Sequence, residues 1–336
     1  MQEAQYYQAG EDHILCQLCP QACRLTEGAK GICGVRQEKN GQLFSLNYNR
    51  CVAAGFDPIE KKPLYHFYPG WEILSVGTFG CNLQCTFCQN WTLARGEAAH
   101  LAEAFTSKDL LDLLQNKPPH QQLGVAYTYN EPTVWYEFVY ESSSLLAQHG
   151  YKNVLVTNGL INPEPLKALI PFVHAMNIDV KSFTDSFYRK QCRGRGLAEV
   201  KRTVEYSSEH CHIELTYLVI PTLNDSMEEI ERFVEWVSSV NREIPVHFTR
   251  YAPSYQMDLP PTSTSMLYNI WKYARETLPY VYLGNIMDAE SSTTFCPSCH
   301  TALLRRMGFR VENPALKEGK CEKCGSPVNI VGTVKT

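Results

Sequence analysis

The chain has 336 residues, a formal net charge of −4 and a pI near 6.2. That length is enough for one large domain with appendages, or for two domains, around a real core. The balance gives no electrostatic case for nucleic acid or a membrane surface, no apolar run approaches a membrane span, and Met1–Gln8 lacks the basic-then-apolar order of a signal peptide.

Fourteen cysteines would suggest disulfides in a small secreted protein. Here eleven fall in three groups with metal-ligand spacing, at residues 16–33, 81–88 and 296–324. Thiolates of that kind call for a reducing, oxygen-poor cytoplasm, and a soluble cytoplasmic protein is the expectation.

In chain order, residues 1–50 form a Cys-rich metal-binding segment. Cys16, Cys19, Cys23 and Cys33 suffice for one tetrahedral zinc or one auxiliary iron–sulfur cluster. A closed structural site is favoured because the segment has few apolar residues to hold itself together. Residues 51–70 carry three prolines in Asp57–Gly70 and read as an extended connector, with Lys61, Lys62 and His66 as solvated charges.

Trp71–Thr78 reads as a buried strand. Cys81, Cys85 and Cys88 follow it as CxxxCxxC, with Phe87 before the last cysteine. Three thiolates on one loop can hold three irons of a 4Fe–4S cluster, and the missing fourth ligand leaves one iron open for substrate. The alternative is a zinc loop closed by Cys51, Cys192 or Cys211.

Strand and helix then alternate. Helices are predicted at 107–115, with Ser107 as cap, and at 131–148, 163–172, 186–208, 226–240 and 260–278. Strands are predicted at 123–129, 153–157, 175–180, 212–220, 246–250 and 280–285. About six βα units imply a parallel sheet, curled by right-handed crossovers into a barrel or partial barrel. Residues 71–290 form this α/β core. Residues 291–336 form a zinc-ribbon-like module, in which Cys296-Pro-Ser-Cys299 and Cys321-Glu-Lys-Cys324 supply two thiolates each. Arg305, Arg306 and Arg310 between them are weak support for nucleic-acid binding.

The cysteine loop with Phe87-Cys88-Gln89-Asn90 resembles the radical S-adenosylmethionine (SAM) enzymes. That resemblance implies a partial (β/α)6 TIM-like barrel, a cluster on Cys81, Cys85 and Cys88, and SAM chelated to the open iron through its amino and carboxylate groups. It also implies reductive cleavage to methionine and a 5′-deoxyadenosyl radical that abstracts hydrogen. By the same resemblance Phe87 lies in the SAM pocket, and Asn130-Glu131 takes the place of the family's GGE-type motif, facing the SAM amino group. Thr157-Asn158-Gly159 and Asp179-Val-Lys181 are similar to the TNG and DxK of glycyl-radical-enzyme activases. Val156 stands where those activases have a cation-holding Asp, so no such cation site is expected. Arg250, at the end of a strand, is a candidate carboxylate binder for substrate.

The fullest resemblance is to the radical SAM enzyme of the AmmeMemoRadiSam system, whose members are often labelled pyruvate formate-lyase activating enzyme-like. It rests on Leu18-Cys-Pro20, Gly31-Ile-Cys-Gly-Val-Arg36, Ser45-Leu-Asn-Tyr48, Asp57-Pro-Ile-Glu-Lys-Lys-Pro-Leu64, Gly80-Cys-Asn-Leu83, Asn130-Glu-Pro-Thr133, His247-Phe-Thr-Arg250 and the ribbon. It implies AMMECR-type and Memo-type partners and a flavodoxin or ferredoxin type electron donor. The expected function is a radical SAM oxidoreductase on an unidentified substrate. The alternatives are a glycyl-radical-enzyme activase and a non-catalytic metal-stabilised scaffold.

Overall fold

The apolar runs pair side by side in chain order. In the computed structural model, which describes residues 1–336 except the side chain of His120, eight strands form one sheet. They are β1 (Ala53–Pro58), β2 (Glu72–Gly77), β3 (Gly124–Tyr127), β4 (Lys152–Thr157), β5 (Ala175–Asp179), β6 (His212–Val219), β7 (Val246–Arg250) and β8 (Val281–Gly284). From β2 to β8 every neighbouring pair is parallel, and β1 is an antiparallel edge strand on β2.

Parallel strands covered on both faces need unbroken apolar runs rather than alternation, and Ile73, Leu74 and Val76 of β2 are all buried. The crossovers carry α1 (Ser107–Gln115), α2 (Tyr136–Gln148), α3 (Pro163–Leu169), α4 (Leu197–Ser208), α5 (Met227–Asn241) and α6 (Thr264–Thr277). The two end strands, β1 and β8, do not pair with each other, so the sheet stays open, as a partial barrel requires.

Several expectations change. The connector contains edge strand β1, because Ala53–Pro58 pairs in register with Gly77–Glu72. Lys62 and His66 are buried rather than solvated; Lys62 Nζ donates to Asp57 Oδ2 at 2.7 Å, and Asp57 also takes Lys61 Nζ at 2.7 Å. Helix 186–208 divides into Asp185–Lys190 and α4. Between them Gly196 lies so close to the Tyr188 ring that a Cβ there would overlap it. The cap of α1 is Thr106, in a reciprocal capping box with Asp109; Ser107 instead donates to Glu141 at 2.5 Å. The first turn of helix 131–148 is a 3₁₀ turn, Pro132–Trp135.

The appendages sit on opposite ends of the strands. At the amino-terminal half of β6, the fully buried Glu214 accepts from the backbone of Tyr65 (2.9 Å) and His66 (2.6 Å) and from His212 (3.0 Å) and His247 (2.7 Å). His66 continues to Tyr282 of β8 and to the Asn329 carbonyl of the tail. The connector, the tail and, through Arg306, the C-terminal module therefore close this end. The cysteine loop leaves from the other end, after β2.

Candidate active site

Beyond β2, the cysteine loop is fastened by main-chain bonds. Asn130 clamps its first limb, accepting from Thr78 N at 3.0 Å and donating to Gly80 O at 2.9 Å. Gly80 has φ +95°, and a Cβ there would lie 2.8 Å from the carbonyl oxygen of Cys33, so glycine is required. Gln84 N donates to Cys192 O at 2.8 Å, Thr86 N to Gln191 O at 2.9 Å, and Arg95 Nη2 to Leu83 O. Ser254 donates to Cys88 O at 3.1 Å. Loops after β3, β4, β5 and β7 reach the same end, as parallel strands demand.

Glu131 lies at the centre of these loops. Its buried carboxylate accepts from Thr133 N (3.0 Å), Thr157 Oγ1 (2.7 Å) and Asn158 N (2.8 Å). Asn158 in turn donates to Asn82 Oδ1 at 2.8 Å and approaches Cys81 Sγ at 3.8 Å. Thus Asn130, Glu131, Thr157 and Asn158, from two strand ends, come together against the cysteine loop. Lys181 Nζ pairs with Asp179 at 2.9 Å. Asn224, which donates to Lys181 O at 2.8 Å, fixes that stretch of backbone.

Burial and neighbouring charges act on the thiols in different senses. Burial pushes the Cys81 thiol up, and the Glu131 carboxylate adds to it. Burial raises Cys88 as well, while Lys181 and Arg95 draw it down. Cys85 is raised first by a hydrogen bond with Cys192, then by burial. Lys181 stays charged: burial works against its ammonium, but Asp179, Cys85 and Cys192 outweigh it.

Two further predicted residues make contacts of their own. Phe87 packs on Phe187, ring centroids 5.7 Å apart, and Arg250 Nε donates to Thr262 O at 2.9 Å. The sequence reasoning missed Arg95, Asn82 and the placement of Cys192. Arg95 sits seven residues beyond Cys88 on a short helical turn, with no spacing rule to mark it; Asn82, inside the motif, was the legible one.

Residues 75–237 match the radical SAM superfamily. Over 98% of its length the chain is 37% identical to the whole of an uncharacterized protein from Methanocaldococcus jannaschii. The chain belongs to the radical SAM superfamily. This radical SAM enzyme is also 24% identical, over 51% of its chain and 72% of the relative's, to a pyruvate formate-lyase-activating enzyme from Clostridium pasteurianum. Among solved structures, Streptococcus suis SuiB bound to S-adenosylmethionine superposes with a TM-score of 0.51 at 16% identity, covering 68% of this chain and 53% of that one. The likeness is one of fold, and it spans about half of SuiB.

The radical SAM family implies a 4Fe–4S cluster and SAM, and the donor set fits the cluster. A single zinc ion, with Zn–S near 2.3 Å, draws thiolates to about 3.8 Å from one another. The ribbon meets that, with Cys296–Cys324 at 3.6 Å and Cys299–Cys321 at 3.7 Å. Among the described residues it is the one set of three or more metal-ligating side chains with donors all within 4.8 Å of one another. Cys81, Cys85 and Cys88 are not such a set, and three thiolates on one loop suit three irons of a cluster. Beside them the buried Arg95 Nε has no hydrogen-bond partner. Of the suggested fourth ligands, Cys51 is turned to the Ala53 and Gly77 carbonyls, Cys211 is a thiol raised by burial alone, and Cys192 faces Cys85.

Proposed function

We propose that this enzyme holds a 4Fe–4S cluster on Cys81, Cys85 and Cys88, binds SAM beside it, and abstracts a hydrogen atom from a substrate still to be identified. With both groups bound, reductive cleavage of SAM would supply methionine and a 5′-deoxyadenosyl radical. The observation that carries the reading is the convergence of Glu131, Asn158 and the Asp179–Lys181 pair on a three-thiol loop at the carboxyl ends of parallel strands.

The chain's own residues have distinct tasks. Glu131 fixes the ends of β3 and β4 and offers carboxylate acceptance to an ammonium group. Lys181 supplies a half-buried positive charge for the thiolate-rich loop, oriented by Asp179. Asn130 shapes the loop rather than presenting its amide.

A second reading is a glycyl-radical-enzyme activase, favoured by the similarity to the Clostridium activating enzyme. AMMECR-type and Memo-type partners, a flavodoxin or ferredoxin type donor and a cytoplasmic location complete the proposal, resting on the sequence resemblance. The ribbon, as a zinc site on the amino-end face, is given a structural role.

Anaerobic reconstitution followed by a 5′-deoxyadenosine assay tests the reading; a cluster-loaded protein that never releases 5′-deoxyadenosine would overturn it. A glycyl radical signal on a candidate target would favour the activase.

A further inference from the structure

Three groups of thiols occur in this chain, and only one has single-ion spacing. Cys16, Cys19, Cys23 and Cys33 also gather in one place. The Cys19 thiol feels Cys16, Cys33 and Cys23, and the Cys23 and Cys33 sulfurs both flank Gly31, 3.5 and 3.6 Å from where its Cβ would be. Yet they are not drawn within 4.8 Å of one another as the ribbon thiols are. Four cysteines that converge without closing to single-ion distance leave room for something larger than one zinc ion.

An independent observation points to the same space. Arg36, 1% exposed, comes from the strand Arg36–Lys39 that follows Cys33. Its Nη1 donates to Gln5 O at 2.8 Å and lies 3.6 Å from Cys16 Sγ, and its Nη2 pairs with the buried Glu137. Its Nε is buried without a hydrogen-bond partner. Glu137 neutralises the guanidinium charge, so Arg36 is left as a donor aimed at sulfur, and N–H donors to sulfur are what iron–sulfur clusters use.

The place is equally specific. The carbonyl of Cys33 abuts Gly80, next to Cys81. Gln21, between Cys19 and Cys23, donates to Asn82 O at 2.8 Å, and Asn162 N donates to Leu18 O at 3.0 Å. Cys33 O against Gly80 and the Gln21 side-chain amide on Asn82 O thus seat the N-terminal cysteine segment directly on the loop that carries Cys81. We propose that Cys16, Cys19, Cys23 and Cys33 hold a second, fully ligated 4Fe–4S cluster, a redox centre seated against the loop of the first.

Its role, which rests on the radical SAM reading above, is electron entry. A low-potential donor protein of the flavodoxin or ferredoxin class loses one electron, and the cluster on the Cys81 loop gains it by way of the second centre.

The site itself is tested without activity. A Cys81→Ser, Cys85→Ser, Cys88→Ser variant, reconstituted anaerobically with iron and sulfide, should retain about four iron and four sulfide per chain and about one zinc in the ribbon. The same variant with no iron and about two zinc per chain would overturn the proposal. In the otherwise native chain, Cys19→Ser with Cys33→Ser should lose about half of the iron. Cys23→Ser, at a half-buried position, is the milder variant should the double one fold poorly. With the second site emptied, reduction of the remaining cluster by reduced flavodoxin should slow at least about tenfold while photoreduction by a deazaflavin is unchanged; equal rates with flavodoxin would overturn the electron-entry role. A protein that carries both clusters but releases no 5′-deoxyadenosine would leave this site standing and remove only the reading of the first.

Discussion

Arg306 of the ribbon lies over the ring of Tyr65, its guanidinium 4.1 Å from the ring centroid, and donates to the Tyr65 carbonyl at 2.7 Å. The same group stands 3.8 Å from Glu60, both side chains sealed from solvent. Above pH 7, where Glu60 is ionised, deleting Arg306 leaves a buried carboxylate without its counter-charge, a loss of roughly 3 to 5 kcal/mol in comparable buried pairs. Arg306→Ala should therefore lower the urea midpoint steeply. Folded protein should still cleave SAM, because Arg306 works at the amino ends of the strands. Loss of cleavage without loss of stability would contradict this division.

The ribbon thiols make a second case. Thr301 bonds hold the Cys299 thiol down at about 6, whereas burial pushes Cys296 up to about 11. An ionised Cys299 is a ready first ligand. Cys299→Ser should remove about one zinc per chain and lower Tm by roughly 5 °C or more, with cluster iron unchanged on metal analysis. Iron lost along with the zinc would tie the ribbon to the active site.

Acid should unfold the amino-end network in a defined window. Burial depresses His66 from its ordinary 6.5 to about 3. Its neutral form therefore stabilises the fold above 6.5, and that contribution fades as pH falls from 6.5 towards 3. Burial also works against the Glu214 carboxylate, but His212 and His247 hold it well below the usual range, so it acts in the same direction below 4.5. Glu60 opposes both: burial pushes it up to about 7, favouring the fold as pH drops from 7 to 4.5 and adding nothing further below. Stability should therefore fall faster between pH 4.5 and 3 than between 7 and 4.5. In urea titrations across this range, the margin of wild type over His66→Gln should narrow as pH falls; a constant margin would remove His66 from the account.

The parallel core was legible because β2 to β7 are short apolar runs separated by helical spacing, a pattern that local sequence carries. Cys81, Cys85, Cys88 and the ribbon thiols were legible for the same reason, being close in sequence. Lys62 and His66 were misread since their burial depends on Asp57, Tyr282 and Asn329, and the last two lie more than two hundred residues away. Edge strand β1 was hidden by its composition: Ala53-Ala-Gly-Phe-Asp-Pro58 has little β propensity, and pairing with β2 decides it. Cys192, far from the motif, could not be placed beside Cys85 by spacing.

Cys192 decides whether a corner of the first cluster is open. Its backbone latches the loop through Gln84 N, and its thiol is fully buried against Cys85. As a packing residue it should tolerate a small replacement: Cys192→Ala should keep wild-type iron content and SAM cleavage within about threefold while losing about 1 to 2 kcal/mol of stability. Cys85→Ala should abolish cleavage and lose the iron of the first cluster, about half of the total. If Cys192→Ala lost iron as Cys85→Ala does, the fourth corner would belong to the protein, and SAM could not ligate there.

Glu131 offers the sharpest test of how the pocket is built. Its carboxylate accepts from Thr133 N, Thr157 Oγ1 and Asn158 N at once, and burial raises its pKa against those bonds. Glu131→Gln preserves the shape but turns one acceptor into an amide donor facing N–H or O–H groups, leaving a buried mismatch of about 1 to 3 kcal/mol. Because Thr157 and Asn158 are the groups set out of place, the cost should appear in SAM binding, as a rise in KM of roughly 5- to 150-fold. The rate at saturating SAM should change far less, and cluster absorbance should not change. A drop in kcat with KM unaltered would show Glu131 acting in the chemical step rather than positioning the strand ends that receive SAM.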